Sequence, residues 1–205
     1  MIPAAYNSDQ KRRQLVRAAS GLIHEQGFQP TTLAEVAGRA RVPLGNVYYY
    51  FKTKDALAEA VIDAHVSSLE SQFAAWTEAW EDPRDRLRCL IRAPLQAGER
   101  VARFGCPHGS LCQELEKLAS DAPLARSAAR LLTAYIEWAA KQFRALGGTP
   151  KDARMRAELL VAAVQGTMLV AHTLHSREFL ARQLAEIERG LYRASPGGKP
   201  NKPNE

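Results

Sequence analysis

The apolar positions of this chain follow a helical period almost throughout. The first predicted helix, residues 9–26, has one face formed by apolar side chains at spacings of three and four: Leu15, Val16, Ala19, Leu22 and Ile23. Runs rich in β-branched residues with alternating polarity, which would indicate strands, are hard to find anywhere in the sequence. The pattern therefore predicts an all-α protein.

Glycine, proline and capping residues divide this pattern into nine predicted helices. Gly27 stands where a left-handed helix end is expected, and Thr32 with Glu35 three residues later forms a capping box. Asp82 and Pro83 read as the N-cap and first residue of a later helix. The predicted helices span residues 9–26, 32–39, 44–50, 54–80, 83–103, 107–119, 122–146, 150–174 and 176 to about 190.

The charge is concentrated in the first quarter of the chain. The 205 residues carry a net charge of +6, and residues 1–54 hold eight Lys or Arg against three Asp or Glu, a net +5. This distribution is typical of a nucleic-acid-binding module joined to a near-neutral domain, although a solvated basic face gives the same count. We expect domains over residues 1–53 and 54–194, followed by a disordered, Pro- and Gly-rich tail over 195–205.

No segment suggests a membrane or an oxidising environment. The longest weakly polar run, from Leu159 to Ala171, contains Gln165 and is shorter than the ~20 residues that span a bilayer. The N-terminus has no apolar core of signal-peptide length, so we expect a cytoplasmic protein with no membrane contact. The odd number of cysteines (Cys89, Cys106, Cys112) predicts reduced thiols.

Two short helices joined by a tight turn, residues 32–39 and 44–50, form a helix-turn-helix candidate. In the second of them Val47 and Phe51 can face inward. The outward positions are then Gly45, Asn46, Tyr48 and Tyr49. A helix in the major groove needs small residues for close approach and amides that can pair with adenine, and this face has both.

The segment from Thr31 to Leu57, TTLAEVAGRARVPLGNVYYYFKTKDAL, resembles the DNA-binding signature of the TetR (tetracycline-repressor) family of bacterial transcription regulators. The helical outline of the remainder is similar to that family. The resemblance implies an N-terminal three-helix DNA-binding domain followed by a six-helix C-terminal ligand-binding and dimerisation domain. It also implies a ligand-responsive homodimer, commonly a repressor, that binds a palindromic double-stranded operator and uses neither a cofactor nor catalysis.

The resemblance further implies which residues contact DNA. Matching positions contact bases (Gly45, Asn46, Tyr49) or phosphates (Thr32, Tyr48, Tyr50, Lys54). We add as candidates Arg41, Leu44 and Lys52; core packing is the alternative for at least one tyrosine. Arg41 stands where the family most often has glycine, so it either adopts a positive φ at a cost of roughly 1 kcal/mol or sits in a different turn. The second helix has no Arg or Lys, which predicts half-sites containing A·T pairs.

The C-terminal part carries candidate residues for an effector pocket and a dimer interface. The pocket candidates are His65, Trp76, Trp80, Phe104, Cys106, His108, Tyr135, Trp138, Met168 and His172; each of them has core packing as its alternative. The resemblance implies a dimer through the last two helices. Their apolar positions are Ala162, Ala163, Gly166, Ala171 and Leu174 on one, and Leu180, Leu184, Ile187 and Leu191 on the other; intrachain core is the alternative for both sets.

Cys106 precedes Pro107 at a predicted helix N-terminus, where free amides stabilise a thiolate. His108 and Arg103 are close in sequence and can lower its pKa further, so an oxidant or electrophile sensor is one interpretation and a simple helix cap is the other. Cys112 lies about 9 Å further along the axis, too far for a local disulfide. His172 and His175 can pair with a cysteine, but no compact ligand motif predicts a metal site; a helical metal-binding protein or enzyme is the alternative from another class.

Overall fold

The structure, a computed structural model, describes residues 4–118 and 122–193, and their side chains over 9–118 and 122–191. Within these ranges all regular structure is α-helical, which confirms the predicted fold class. The helices are α1 Ala4–Gln26, α2 Leu33–Ala40, α3 Leu44–Tyr50, α4 Lys54–Ala79, α5 Pro83–Gln96, α6 Gly98–Phe104, α7 Pro107–Leu118, α8 Pro123–Ala145, α9 Pro150–Thr173 and α10 Arg177–Arg193. The predicted disordered tail lies outside the described residues.

One predicted helix, over residues 83–103, is interrupted, so the described chain has one helix more than predicted. Pro94 lies inside α5 and has no N–H to donate to the turn before it. Ala97 then leaves the helical region, with φ −112° and ψ 28°. The helix resumes as α6 at the buried Gly98, where a Cβ would lie 3.1 Å from Nε of Arg177, so the Arg177 side chain would have to shift to admit one.

The contacts group the chain into two compact units. Unit 1 contains the residues up to Phe73 together with Arg103–Tyr135. In it α1 packs against α2 and α7, and α2 against α3. Its fully buried side chains include Leu15, Val36, Val47, Ile62, Leu111 and Leu131.

Unit 2 contains Ala74–Ala102 together with the residues from Ile136 onward. In it α10 packs against both α9 and α5. Arg92 on α5 donates two hydrogen bonds, of 2.7 and 2.8 Å, to the carboxylate of Glu188 on α10. These units are defined by contacts and not by independent folding, so the predicted domain boundary between residues 53 and 54 stays a prediction.

The apolar stripes of α9 and α10 have different surroundings. On α10 Leu180, Leu184 and Leu191 are buried within the chain, as the core alternative expected. On α9 a row of apolar side chains is exposed instead. We call it the α9 face; it consists of Met155, Leu159, Ala162, Ala163, Gly166, Leu169, Val170 and Leu174. Ala171, predicted to lie on this face, is fully buried because it points to the opposite side of α9.

None of the described helices combines the length and the apolar character that crossing a membrane requires.

Candidate nucleic-acid interface and regulatory core

Helix α2 begins with a capping box and ends, at the turn toward α3, with a left-handed residue. Oγ1 of Thr32 accepts from the backbone N–H of Glu35 at 3.2 Å and donates to the Glu35 carboxylate at 2.8 Å. That carboxylate also accepts the backbone N–H of Thr32 at 2.8 Å, which confirms the predicted box. Arg41 ends α2 with φ 54° and ψ 43°, so the first of its two predicted conformations is the one adopted. The N–H of Val42 donates to the carbonyl of Ala37 at 3.0 Å, which closes the helix end.

The two faces of α3 differ as the sequence predicts. Val47 and Phe51 are buried, whereas Tyr49 is 73% and Tyr48 48% exposed. Leu44 and Gly45 are exposed too, while Asn46 and Tyr50 are half-buried. A Cβ on Gly45 would have no atom within 4 Å, so no contact inside the chain requires glycine there. The face is thus open to close approach by another molecule.

The predicted phosphate contacts are not equally available. Lys52 is exposed on the turn after α3, and Arg41 is exposed at the end of α2. Lys54 instead donates to the carbonyl of Gln29 at 2.8 Å, with its ammonium 4.4 Å from the centre of the Phe28 ring. This contact secures the segment between α1 and α2, and a phosphate contact by Lys54 stays a prediction.

Glu114 on α7 and Gly105 just before α7 hold the end of α1 through three contacts that the sequence did not suggest. The carboxylate of Glu114 accepts the backbone N–H groups of Phe28 and Gln29, each at 2.7 Å. Gly27, with φ 92°, brings these groups toward Glu114, and a Cβ there would lie 3.1 Å from the carboxylate. His24 Nε2 lies 2.9 Å from the carbonyl oxygen of Gly105, next to Cys106. The end of α1 is therefore connected to Gly105 and Glu114, which lie on either side of Cys106 and Cys112.

Four side chains of unit 1 form a continuous hydrogen-bonded row that we call the polar chain. Ser20 Oγ lies 3.0 Å from His65 Nε2, His65 Nδ1 lies 3.2 Å from His108 Nε2, and His108 Nδ1 lies 3.1 Å from the hydroxyl of Tyr135. Burial lowers the pKa of His108 to about 3 and also lowers the pKa of His65, so both rings are neutral. Burial raises the pKa of the Tyr135 hydroxyl.

The cysteines have distinct environments. Cys106 Sγ accepts the backbone N–H of Gly109 at 3.4 Å, which caps α7. His108 cannot stabilise a Cys106 thiolate by charge, contrary to the sequence expectation, because burial keeps its ring neutral. Cys112 donates to the carbonyl of Ala128 at 3.1 Å, and burial raises the pKa of its thiol to about 11. None of the three cysteines forms a disulfide bond within the described chain, and the described residues contain no group of three or more His, Cys, Asp or Glu arranged to hold a metal ion.

The predicted pocket residues fall into both units. Unit 1 contains His65, Phe104, Cys106, His108 and Tyr135, and unit 2 contains Trp76, Trp80, Trp138, Met168 and His172. In unit 2 the rings of Trp76 and Trp138 lie 5.6 Å apart, and Met168 is buried. Trp80 is 40% exposed beyond the end of α4, with the Arg88 guanidinium 5.4 Å from its ring, and so does not face an apolar interior of its unit.

Sequence reasoning missed Ser20, His24 and Glu114. Their partners are 45, 81 and 86 residues away along the chain, so no local spacing marks them. The five histidines were the available signal, since a buried neutral histidine needs a partner for each nitrogen.

Comparison with known proteins gives matches to two family models and to curated relatives. Residues 15–61 match the model described as bacterial regulatory proteins, tetR family, and residues 83–186 match the C-terminal domain of LmrA/YxaF-like transcriptional regulators. The HTH-type transcriptional regulator BetI of Burkholderia ambifaria is 44% identical over 87 residues, which are 40% of this chain and 43% of BetI. The match thus spans less than half of that relative.

Solved structures agree over most of the chain. A regulatory protein TetR from Rhodobacter sphaeroides is 26% identical with a TM-score of 0.72, over 86% of this chain and 96% of that one. The reduced form of Escherichia coli NemR is 22% identical with a TM-score of 0.73, over 88% and 96%, a likeness of fold. Because the second family model covers half of the chain and the first covers the helix-turn-helix, the chain belongs to the TetR family of bacterial transcriptional regulators.

Proposed function

We propose that this chain is a homodimeric repressor that binds a palindromic operator through α3 and is released by a small molecule bound in the C-terminal part. Its role is binding rather than catalysis, and it acts in the cytoplasm, where the DNA is. Release follows when the effector binds more tightly to a state in which the two helix-turn-helix elements no longer match successive major grooves.

The observation that carries this proposal is the outward face of α3. Asn46 and Tyr49 stand beside an unobstructed Gly45, while Val47 behind them is fully buried. No hydrogen bond of the Asn46 side chain to another described residue is present, so its amide is free to read a base edge. Lys52 and Arg41 at either side supply positive charge for phosphates.

Selection of binding sites from random duplexes is expected to yield inverted half-sites that contain A·T pairs. The reason is that α3 offers an amide and hydroxyls but no guanidinium or ammonium. Asn46→Ala should weaken binding to the selected duplex by roughly 10- to 100-fold and relax the preference at one position, at 1–3 kcal/mol per lost bidentate pair. Lys52→Gln should weaken binding to all duplexes alike. Half-sites made of guanine-rich sequence alone would contradict the proposed reading by Asn46.

We propose that the two copies meet through the α9 face, with the outer side of α10 beside it. The apolar stripe of α10 is used within the chain, so α10 offers the partner mainly polar side chains and small ones such as Ala181 and Ala185. The large exposed apolar side chains of unit 2 are concentrated on α9, a pattern typical of protein interfaces.

A small effector with an apolar body and one polar group suits the predicted pocket residues. Tyr135 offers a hydroxyl, already hydrogen-bonded to His108, within an apolar setting, which is how ligand pockets usually fix orientation. The chemical identity of that molecule is to be found by screening, with operator release as the readout.

A second candidate function is a thiol sensor acting through Cys106. Its support is the position of Cys106, half-buried at the start of α7 and one residue after the carbonyl that contacts His24. A covalent adduct on Cys106 would displace the contact from Gly109 and disturb the link to α1. One of the structures with a similar fold is that of the reduced form of E. coli NemR, so the effect of oxidising or alkylating the thiols of this chain is worth measuring.

If Cys106 acts as a thiol sensor, N-ethylmaleimide should lower the DNA affinity of the wild type and of Cys112→Ser but not that of Cys106→Ser. Cys112 serves as the control because a thiol with a pKa of about 11 carries almost no thiolate at neutral pH. Serine can keep the cap on Gly109, so Cys106→Ser should bind DNA as the wild type does. An equal response of the two variants would exclude sensing by Cys106.

A further inference from the structure

A cleft between α1 and α4 in unit 1 lies outside the predicted interface and shares only His65 with the predicted effector pocket. Its volume is about 510 Å³, within the range of small-molecule sites. Val16 and Val61 form apolar walls, and Ser20 and His65, the first two members of the polar chain, lie at one end. We refer to it as the α1–α4 cleft.

The rim of this cleft is positively charged. Arg13 and Arg17 on α1 are exposed and lie one helical turn apart, so their charges repel each other unless an anion lies between them. Neither makes a hydrogen bond or ion pair with another residue in the part of the chain that the structure describes. Arg12 also lines the cleft, with its guanidinium 5.2 Å from the centre of the Phe51 ring. The acidic group of the rim, Asp63, is held by Arg130 at 3.0 Å.

The polar chain at the end of the cleft has two proton arrangements, because each neutral histidine has one donor and one acceptor nitrogen. In the first, Ser20 donates to His65, both histidines carry their proton on Nδ1, and Tyr135 accepts. In the second, Tyr135 donates to His108, both histidines carry their proton on Nε2, and Ser20 accepts from His65. Only the second leaves the Ser20 proton free to point into the cleft.

We propose that the α1–α4 cleft binds a small organic carboxylate between Arg13, Arg17 and the Ser20 hydroxyl, and that binding sets the polar chain in its second arrangement. A carboxylate accepts hydrogen bonds only, so it selects the arrangement in which Ser20 can donate. Arginine pairs with the planar carboxylate in bidentate geometry, and the apolar walls accept the hydrocarbon part of the molecule. A phosphate dianion fits less well, because Asp63 lines the same cleft.

The consequence extends beyond the cleft. In the second arrangement Tyr135 donates its proton to His108 and can only accept from other partners. An anion beside α1 thereby changes which hydrogen bond Tyr135 offers on α8, through three bonds and without movement of the backbone. The cleft is thus a second ligand site, distinct from the predicted effector pocket.

Benzoate titrated into the full chain, with the ring nitrogens of His65 and His108 followed by ¹⁵N NMR, tests the proposal. We expect saturable binding and a change of both histidines to the Nε2–H form. Arg17→Gln should weaken binding roughly tenfold or more, whereas Lys11→Gln, which removes a charge from α1 outside the cleft, should leave it unchanged. Ser20→Ala should retain most of the binding but lose the tautomer change, a readout that a merely structural role would not give.

Several results would overturn the proposal. The first is the absence of benzoate binding up to about 10 mM. The second is benzoate binding that Arg17→Gln does not weaken. The third is a wild-type protein, saturated with benzoate, in which both histidines keep their tautomers. The arginines can also serve DNA phosphates, so a non-specific duplex is titrated in parallel. If Arg13→Gln and Arg17→Gln weaken binding of the duplex while benzoate does not bind to the wild type, the arginines belong to the DNA contact and the cleft is not a ligand site.

Discussion

Replacing Leu159 by glutamate should convert the dimer to a monomer and lower affinity for a palindromic operator by about 100-fold or more. Leu159 is 64% exposed, the most exposed large apolar side chain of the α9 face, and lies between Met155 and the small residues Ala162 and Ala163. A twofold interface buries the same position on both copies, so one substitution places two unpaired carboxylates in an apolar contact. A monomer then retains only one helix-turn-helix for the two half-sites.

Sedimentation velocity over a range of concentrations measures the first effect, and fluorescence anisotropy with whole and half operators measures the second. Leu118→Glu is the matched control, because Leu118 is an exposed leucine on α7 and not on the α9 face. The half-operator affinity of Leu159→Glu should equal that of the wild type. A variant that remains dimeric at micromolar concentration would show that the copies meet through another surface.

Replacing Glu114 by alanine should lower the free energy of unfolding by about 2–3 kcal/mol, a large loss for a substitution outside the core. The Glu114 carboxylate is the acceptor for two backbone N–H groups at the end of α1, and hydrogen bonds to charged groups contribute about 1.5–3 kcal/mol each. The expected loss stays below the sum of about 3–6 kcal/mol because Gln29 is exposed and water can replace the carboxylate there. Glu114→Gln should lose about half as much, since the amide has one acceptor oxygen.

Urea unfolding followed by circular dichroism gives these values. Glu116→Ala and Glu116→Gln are the controls, because Glu116 is exposed on the same helix. DNA affinity measured at the same time separates stability from positioning, since an unsecured end of α1 also lets the helix-turn-helix tilt. If Glu114→Ala and Glu116→Ala have the same unfolding free energy, the carboxylate contributes no stability at this contact.

The elements with a strong local signal could be predicted from the sequence. The helical face from Leu15 to Ile23 and the Thr32–Glu35 box depend on neighbours three or four residues away, and the structure has both. The break before Gly98 was missed because Pro94 lies in the last turn of a strongly amphipathic segment, where periodicity continues across the interruption. The spacing of apolar residues also could not distinguish the buried side of α9 from its exposed side. Ala171 and Leu174 are only three residues apart, yet Ala171 is buried and Leu174 is exposed.

Three members of the polar chain were predictable only as residue types. His65, His108 and Tyr135 were singled out as pocket candidates, but their order in one hydrogen-bonded row results from α4, α7 and α8 packing together. Ser20 completes that row from α1, and nothing around it in the sequence distinguishes it from a solvated serine. Contacts of this kind depend on tertiary packing, on which the period of a helix carries no information.

The capping box at Thr32 has a consequence for how α2 meets DNA. The proposed phosphate site, the Thr32 hydroxyl and backbone N–H, is already filled by the carboxylate of Glu35. A DNA phosphate that binds here must displace the Glu35 carboxylate, because in the free protein that carboxylate occupies the place of the phosphate. Under the proposed function, displacing Glu35 would cost binding free energy on any duplex, whereas the contacts of α3 with bases that offset this cost would form only at the operator.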